Sequence, residues 1–209
     1  MAERIRFHFD PICPWCYQTA RWIWRLVELG EVEPDWALFS LALVNEGNAE
    51  TQARRHDRSE PALRTAIAVR ARHGRRAVGE FYRRLGRRVH ELGEPIEDTA
   101  TVEGALADAG FDVALCEQAM RDDATRTALE AEHHALVACT RSFGVPTIVL
   151  DGGDGPAIFG PVISEVPSDE DALALWHHVS WLVRYEAFAE LKRDRTAIKA
   201  SAGPTAPPG

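Results

Sequence analysis

Four consecutive residues, Cys13-Pro14-Trp15-Cys16, carry the chemistry most readily read from this chain. Two thiols separated by two residues can close into a disulfide and reopen, passing two electrons to or from an acceptor. If the pair opens a helix, the first sulfur lies against unpaired backbone N–H groups at the positive end of the helix dipole. Both favour thiolate over thiol and bring its pKa from about 8.5 toward neutrality or below. Pro14 suits the first helical position, where its missing N–H would have no partner in any case. Cys13 is then the attacking sulfur. Cys16, one turn later, is placed to resolve a mixed disulfide held on Cys13, and Trp15 adds a flat apolar surface beside it. The rival chemistry is a closed zinc site, for which the pair supplies only half the ligands. His8 could be a third, but it falls on a strand. Cys116 and Cys139 form no second close pair, and both read as buried packing residues.

A second signal lies far along the chain, at Val145-Pro146-Thr147. Proline cannot donate to a sheet ladder, so its place at the start of an interior-looking strand is abnormal. A cis peptide bond before it would explain the placement, and such bonds mark constrained sites. Alone the tripeptide is a weak signal; joined to a strand–Cys-x-x-Cys–helix opening it is a strong one.

The elements that must position these residues follow from periodicity. Ile5 to Phe9 alternates as a first strand. Ala20, Ile23, Trp24 and Val27 recur at helical spacing up to Gly30, and a second strand fits within Val32 to Val44. The middle is helical: one face on Leu63, Ala66, Ile67 and Arg70, another from Phe81 to Leu92, and a third on Val102, Ala105 and Ala109. Asp112 caps a helix to Met120, and a longer one spans Ala124 to Phe143, stopped by Gly144. Val145 to Leu150 then reads as a strand, Asp151 to Gly155 as a turn and Ala157 to Phe159 as the return strand. The Asp-Gly turn lacks the ligand ladder of a calcium loop. Ser168-Asp169-Glu170-Asp171 opens a last helix through Val183. The expected architecture is α/β, one sheet with helices on both faces and a helical block outside it. Residues 1–44 and 112–195 form the sheet domain, 45–111 the inserted helical subdomain, and 196–209 a disordered tail.

Composition narrows the class. The 209 residues have a formal charge of −8, which argues against nucleic acid as a partner. The arginines concentrated between Arg54 and Arg88 read as solvated helix faces. No apolar run approaches the roughly 20 residues of a membrane span. The first strand follows the N-terminus too closely for a secretory signal, so a cytosolic location is expected. In that compartment a cysteine pair is redox-active or metal-binding more often than structural.

The chain resembles the DsbA-like branch of the thioredoxin superfamily, in which a Cys-x-x-Cys turn faces a cis-proline loop and a helical domain is inserted between the two halves. It is similar, more closely, to actinobacterial mycothiol-dependent nitroreductases. The matching stretches are Phe9-Asp10-Pro11-Ile12-Cys13-Pro14-Trp15-Cys16, Ser40-Leu41-Ala42-Leu43-Val44-Asn45-Glu46, His133-His134, Gly144-Val145-Pro146-Thr147-Ile148, Phe159-Gly160-Pro161-Val162 and Glu190-Leu191-Lys192-Arg193. The resemblance implies a thioredoxin fold and a dithiol re-reduced by mycothiol as co-substrate, with no tightly bound cofactor. Mycothiol is itself recycled by an NADPH-dependent disulfide reductase. The acceptors it implies are nitro-aromatic compounds and disulfides, and Trp15 and Asn45 match positions of the substrate pocket. Where the family carries a pocket tyrosine early in the insertion, this chain has Arg55, a departure that bears on substrate range.

The partners expected are thus a small-molecule thiol and an oxidised substrate, without nucleic acid or membrane, and a homodimer is among the assemblies left open. His90, His133 and His134 could reach the substrate from the insertion, although surface or half-buried helix positions account for them better. Three other readings stay open: a general disulfide reductase or isomerase of the same fold, an isomerase related to kappa-type glutathione transferases, and a chaperone-like binder using the apolar surface around Trp15. The intact second cysteine argues against the isomerase.

Overall fold

The computed structural model describes residues 1–47 and 56–194. Strand β1 (Glu3–Phe9) lies at the centre of a four-stranded sheet of order β2-β1-β3-β4. It runs parallel to β2 (Val32–Leu38) and antiparallel to β3 (Thr147–Val149), which pairs antiparallel with β4 (Ala157–Phe159). The crossover from β1 to β2 is helix α1 (Pro14–Glu28). As expected of alternating strands, Phe7 and its β2 partner Trp36 share one face, and His8 and Ala37 share the other.

The Phe7 face is filled by aromatic rings. Trp24 of α1 meets Trp36 at 5.0 Å, and Phe9 stacks on Tyr82 at 3.8 Å. The last helix, α8 (Asp169–Arg184), packs on α1, where the Trp22 indole N–H donates to the Ala172 carbonyl. Ser168 caps α8 by accepting the N–H of Asp171, as the capping-box reading predicts.

The helical block comprises α3 (Glu60–His73), α4 (Arg75–Gly86), a π-helical turn (Arg87–Glu91), α5 (Thr99–Asp108) and α6 (Ala114–Arg121). Two glycines seat α4 on the sheet domain. A Cβ on Gly79 would come within 2.3 Å of the Trp36 indole, and one on Gly86 within 2.3 Å of the Tyr17 ring. Several arginines of this region find carboxylates, among them Arg58–Glu97, Arg70–Glu132, Arg76–Glu33 and Arg88–Asp108. Arg64 departs from the solvated-face expectation. It is 2% exposed and donates to the carbonyls of Ala119, Met120 and Asp122, which end α6.

Three boundaries differ from the periodicity. Leu41–Val44 is a short helix, α2, rather than the end of a strand, because Ser40 accepts the N–H of Leu43 and turns the chain. Helix α7 (Asp123–Thr140) stops short of Phe143, since Arg141 adopts the left-handed conformation at φ 54°. Strand β3 starts at Thr147, not Val145. Cys116 is buried as expected, whereas Cys139 is exposed on the last turn of α7, where no core lies opposite it.

Candidate active site

Beyond Phe9 the chain must turn sharply to deliver its sulfurs to the start of α1. Asp10 makes that turn: its Oδ1 accepts the N–H of Ile12 at 3.1 Å, and its backbone carbonyl accepts the N–H of Cys13 at 3.0 Å. Cys13 is extended (φ −82°, ψ 113°) and occupies the cap position, with Pro14 first in the helix. Its Sγ accepts the N–H of Cys16 at 3.4 Å, the bond a capping hydroxyl would make.

The two thiols are thereby driven apart. Cys13 is lowered, chiefly because the Cys16 thiol donates to it, with the N–H groups of Cys16 and Trp15 assisting against burial. Cys16, with no exposed surface, is raised well above the ordinary thiol range, first by burial and then by the neighbouring sulfur. The partly exposed sulfur is thus shifted toward thiolate and the buried one toward thiol, the division that attack and resolution require.

Across from them the carbonyl oxygen of Val145 lies 4.0 Å from Cys13 Sγ, and the Val145–Pro146 peptide is cis. The Pro146 carbonyl accepts the N–H of Gly160 at 2.8 Å, and the Gly160–Pro161 peptide is also cis. The Pro161 carbonyl in turn accepts the hydroxyl of Thr19 on α1 at 2.8 Å. This closes a circuit from α1 through both prolyl segments back to the sulfurs. Thr147 turns its buried hydroxyl inward to the Gly144 carbonyl at 2.9 Å.

The structure brings Cys13, Cys16, Val145 and Pro146 together. Pro14 is exposed and Trp15 half-buried, so both form the rim beside the Cys13 sulfur. Asn45 ends α2, donating to the Leu41 carbonyl, and that helix is held to the site through Leu41 N–H and Asp10 Oδ2 at 2.8 Å. His90 is turned to the backbone of the loop before Cys13. Its Nε2 lies 2.8 Å from the Pro11 carbonyl, which can only accept, so Nε2 carries the hydrogen. The ring stacks on Tyr17 at 5.1 Å, and burial lowers its pKa, favouring the neutral form. His133 is buried, its Nδ1 accepts the N–H of Ser40 at 3.4 Å, and burial takes its pKa to about 4. His134 is exposed, and Arg55 lies outside the described residues. No group of three or more His, Cys, Asp or Glu side chains suited to a metal occurs among the described residues.

Asp10 itself escapes a reading based on sulfurs and prolines. It has no exposed surface, and burial raises its carboxyl to about 6 against the donors Leu41, Ile12 and Ser59. Its signal in the sequence was an acid closing an apolar strand directly before Pro11. The Gly160-Pro161 pair just beyond the return strand was a second such signal.

The family model described as Rv2466c-like, mycothiol-dependent nitroreductase Rv2466c, matches residues 12–193. A Mycobacterium tuberculosis relative, the uncharacterized protein Rv2286c, is 32% identical over 195 residues, spanning 92% of this chain and 82% of its own length. Among solved structures, the cytosolic disulfide reductase DsbM from Pseudomonas aeruginosa aligns with a TM-score of 0.59 at 16% identity, covering 86% of this chain and 99% of its own. A 2-hydroxychromene-2-carboxylate isomerase aligns at 0.61 and 16% identity, covering 88% and 97%. DsbA from Pseudomonas aeruginosa aligns at 0.53 and 15%, covering 84% and 81%. At such identities these structures establish the shared DsbA-like thioredoxin fold.

Proposed function

Because this chain belongs to the Rv2466c-like family of mycothiol-dependent nitroreductases, we propose that it is a thiol–disulfide oxidoreductase in which Cys13 attacks and Cys16 resolves. Mycothiol re-reduces the pair, and the acceptors are nitro-aromatic compounds, disulfides or both. The observation that carries the reading is the capping sulfur: Cys13 Sγ at the head of α1, lowered by its own helix and partnered by a buried thiol.

With a disulfide acceptor, the Cys13 thiolate displaces one sulfur of the substrate, which leaves as a thiolate and takes up a proton. Cys16 then loses its proton and attacks Cys13, releasing the second substrate thiol and closing the Cys13–Cys16 disulfide. With a nitro group the same two electrons and two protons leave the dithiol, giving a nitroso product and water. Two mycothiol molecules reopen the enzyme disulfide, leaving as mycothiol disulfide. The Val145 carbonyl and the partly exposed Trp15 would hold and cover an incoming chain beside the sulfur. The family name supports mycothiol as co-substrate, and the geometry supports the two-step exchange. Among the described residues no helix is long and apolar enough to cross a membrane.

The isomerase reading needs no second sulfur, and Cys16, donating to Cys13 from a fully buried position, would then have no part to play. The deciding measurement is turnover with mycothiol, using a nitro-aromatic and a disulfide as separate acceptors. Cys13→Ser should remove all activity, and Cys16→Ser should accumulate a mixed disulfide visible by mass. Parental turnover in the Cys13→Ser protein would refute the scheme.

A further inference from the structure

Among the described residues, two buried side-chain nitrogen or oxygen atoms have no hydrogen-bond partner, His8 Nδ1 and Tyr82 Oη. His8 points to the far face of the sheet, away from Phe7 and Trp36. Tyr82, on α4, belongs to the ring cluster on the Phe7 face, with its centroid 5.6 Å from Trp24 and 5.9 Å from Trp36. It has no exposed surface. A buried hydroxyl left unpaired costs stability, so such a group calls for an explanation.

The packing of Tyr82 supplies one. Its ring stacks on Phe9 at 3.8 Å and meets Tyr17 edge-on at 6.3 Å. Phe9 directly precedes Asp10, and Tyr17 directly follows Cys16, so the ring is wedged between the two ends of the segment that carries the dithiol. Cys16 is fully buried in the same cluster. The helix is held at this depth because Gly86, one turn on from Tyr82, lies against the Tyr17 ring. The charges acting on the Tyr82 hydroxyl are, in order, those of Cys16, Cys13, Tyr17 and Asp10, which sets the phenol oxygen at the sulfur end of the cluster.

The dithiol cycle creates a need at this spot. In the reduced protein the Cys16 thiol donates to Cys13. Once Cys13 is bonded to a substrate sulfur it is no longer an anion and draws nothing from Cys16. Cys16 must then lose its proton to attack, and the charge forms in a buried apolar setting, where an unpaired anion is costly. The Asp10 N–H favours that charge, whereas the Asp10 carboxylate opposes it. Tyr82 holds a further donor with no other use. On the dithiol reading given above, we propose that Tyr82 donates its hydroxyl to the Cys16 sulfur as the thiolate forms, speeding resolution without taking part in the first attack. The phenol keeps its own proton throughout, since burial and the neighbouring sulfurs hold it well above its ordinary range. The Cys16–Cys13 bond forms as the bond from Cys13 to the substrate breaks. The proton that Cys16 gives up is matched by the one that the departing substrate thiolate takes up, and the two electrons lost by the dithiol pass to the substrate.

The test follows a single turnover of the reduced full chain carrying Cys139→Ser, which removes the exposed thiol outside the pair. Excess 2,2′-dithiodipyridine serves as acceptor, because one thiopyridine half is released by attack and the other by resolution. Absorbance times the two releases, and mass spectrometry of acid-quenched samples separates reduced protein, Cys13 adduct and closed disulfide. Added to this background, Tyr82→Phe keeps the ring and removes only the donor. It should form the Cys13 adduct at the parental rate and convert it to the internal disulfide about tenfold more slowly, the worth of one hydrogen bond to a charged atom. Its denaturant midpoint should be equal or higher, because an unpaired buried hydroxyl has gone. Resolution at the parental rate would overturn the proposal. So would a lower midpoint or a failure to fold, either of which would show the hydroxyl already bonded in the resting protein. A parent that forms neither a Cys13 adduct nor the internal disulfide would instead refute the dithiol reading itself, and this inference with it.

Discussion

At the scale of single residues, the site works by separating the ionisations of two identical side chains a turn apart. Cys13 is shifted toward the anion by donors that belong to its own helix, and Cys16 toward the thiol by burial. Asp10 opposes both, since a carboxylate beneath them raises either thiol. Its own carboxyl, raised to about 6, gives a prediction with a definite sign. The folded state prefers the protonated acid, so the stability from this preference is complete below the ordinary carboxyl value. It is lost as pH rises through about 6. Asp10→Asn cannot ionise. The variant should therefore gain on the parent by about 2–3 kcal/mol between pH 4 and 7, on top of a pH-independent loss of the Leu41 N–H bond. Denaturant titrations across that range check this, and a constant difference between the two proteins would refute it. The same variant should lower the Cys13 pKa further. The placement of Cys13 and Pro14 at the head of α1 was legible because its reason is local: a cap and a first-turn proline are matters of neighbouring positions. Asp10 was not, because its second oxygen is spoken for by Leu41, 31 residues away.

At the scale of elements, the helical block is seated by contacts too close for side chains. Gly86→Ala would put a methyl into the Tyr17 ring, and because Tyr17 is itself stacked on His90 it has little room to yield. Alanine ought to favour the helix by close to 1 kcal/mol. The clash should outweigh this and destabilise the protein by about 1–3 kcal/mol, read as a lower denaturant midpoint. A stabilised Gly86→Ala protein would mean that α4 does not sit where the structure has it. The long helices and the first strand could be read from their periods, which are strong over many residues. Leu41–Val44 could not, since four apolar residues fit a strand end and a helical turn equally, and the Ser40 cap decides between them. The end of α7 was misplaced for a related reason. Gly144 was the available stop, but Arg141 takes the left-handed turn itself.

At the scale of the molecule, the sulfur pair stands where distant segments cross. The helical block reaches it through His90 and Pro11, the β2–α2 corner through Leu41 and Asp10, and the end of the sheet through Pro161 and Thr19. His90→Ala should loosen the loop before Cys13, raise the Cys13 pKa and reduce kcat/KM by roughly tenfold, the effect of one net hydrogen bond. His90→Gln, whose amide can donate to the Pro11 carbonyl, should restore most of both, and a purely space-filling role for the ring would leave the pKa unmoved. None of these crossings is visible along the chain. The order of strands and helices was, because alternation and helical period survive without knowledge of neighbours. The pairing of β1 with β3 has one more consequence. His8 meets Thr147, and Arg6 meets Val149, only after the whole helical block has been synthesised. At about 5–20 residues per second, a nascent chain emerging from the ribosome carries its reactive cysteine for roughly 7–27 s before the facing loop exists. During that interval the growing polypeptide is open to oxidation by whatever diffuses past, and its sulfur depends on the cell's thiol buffer to stay reduced.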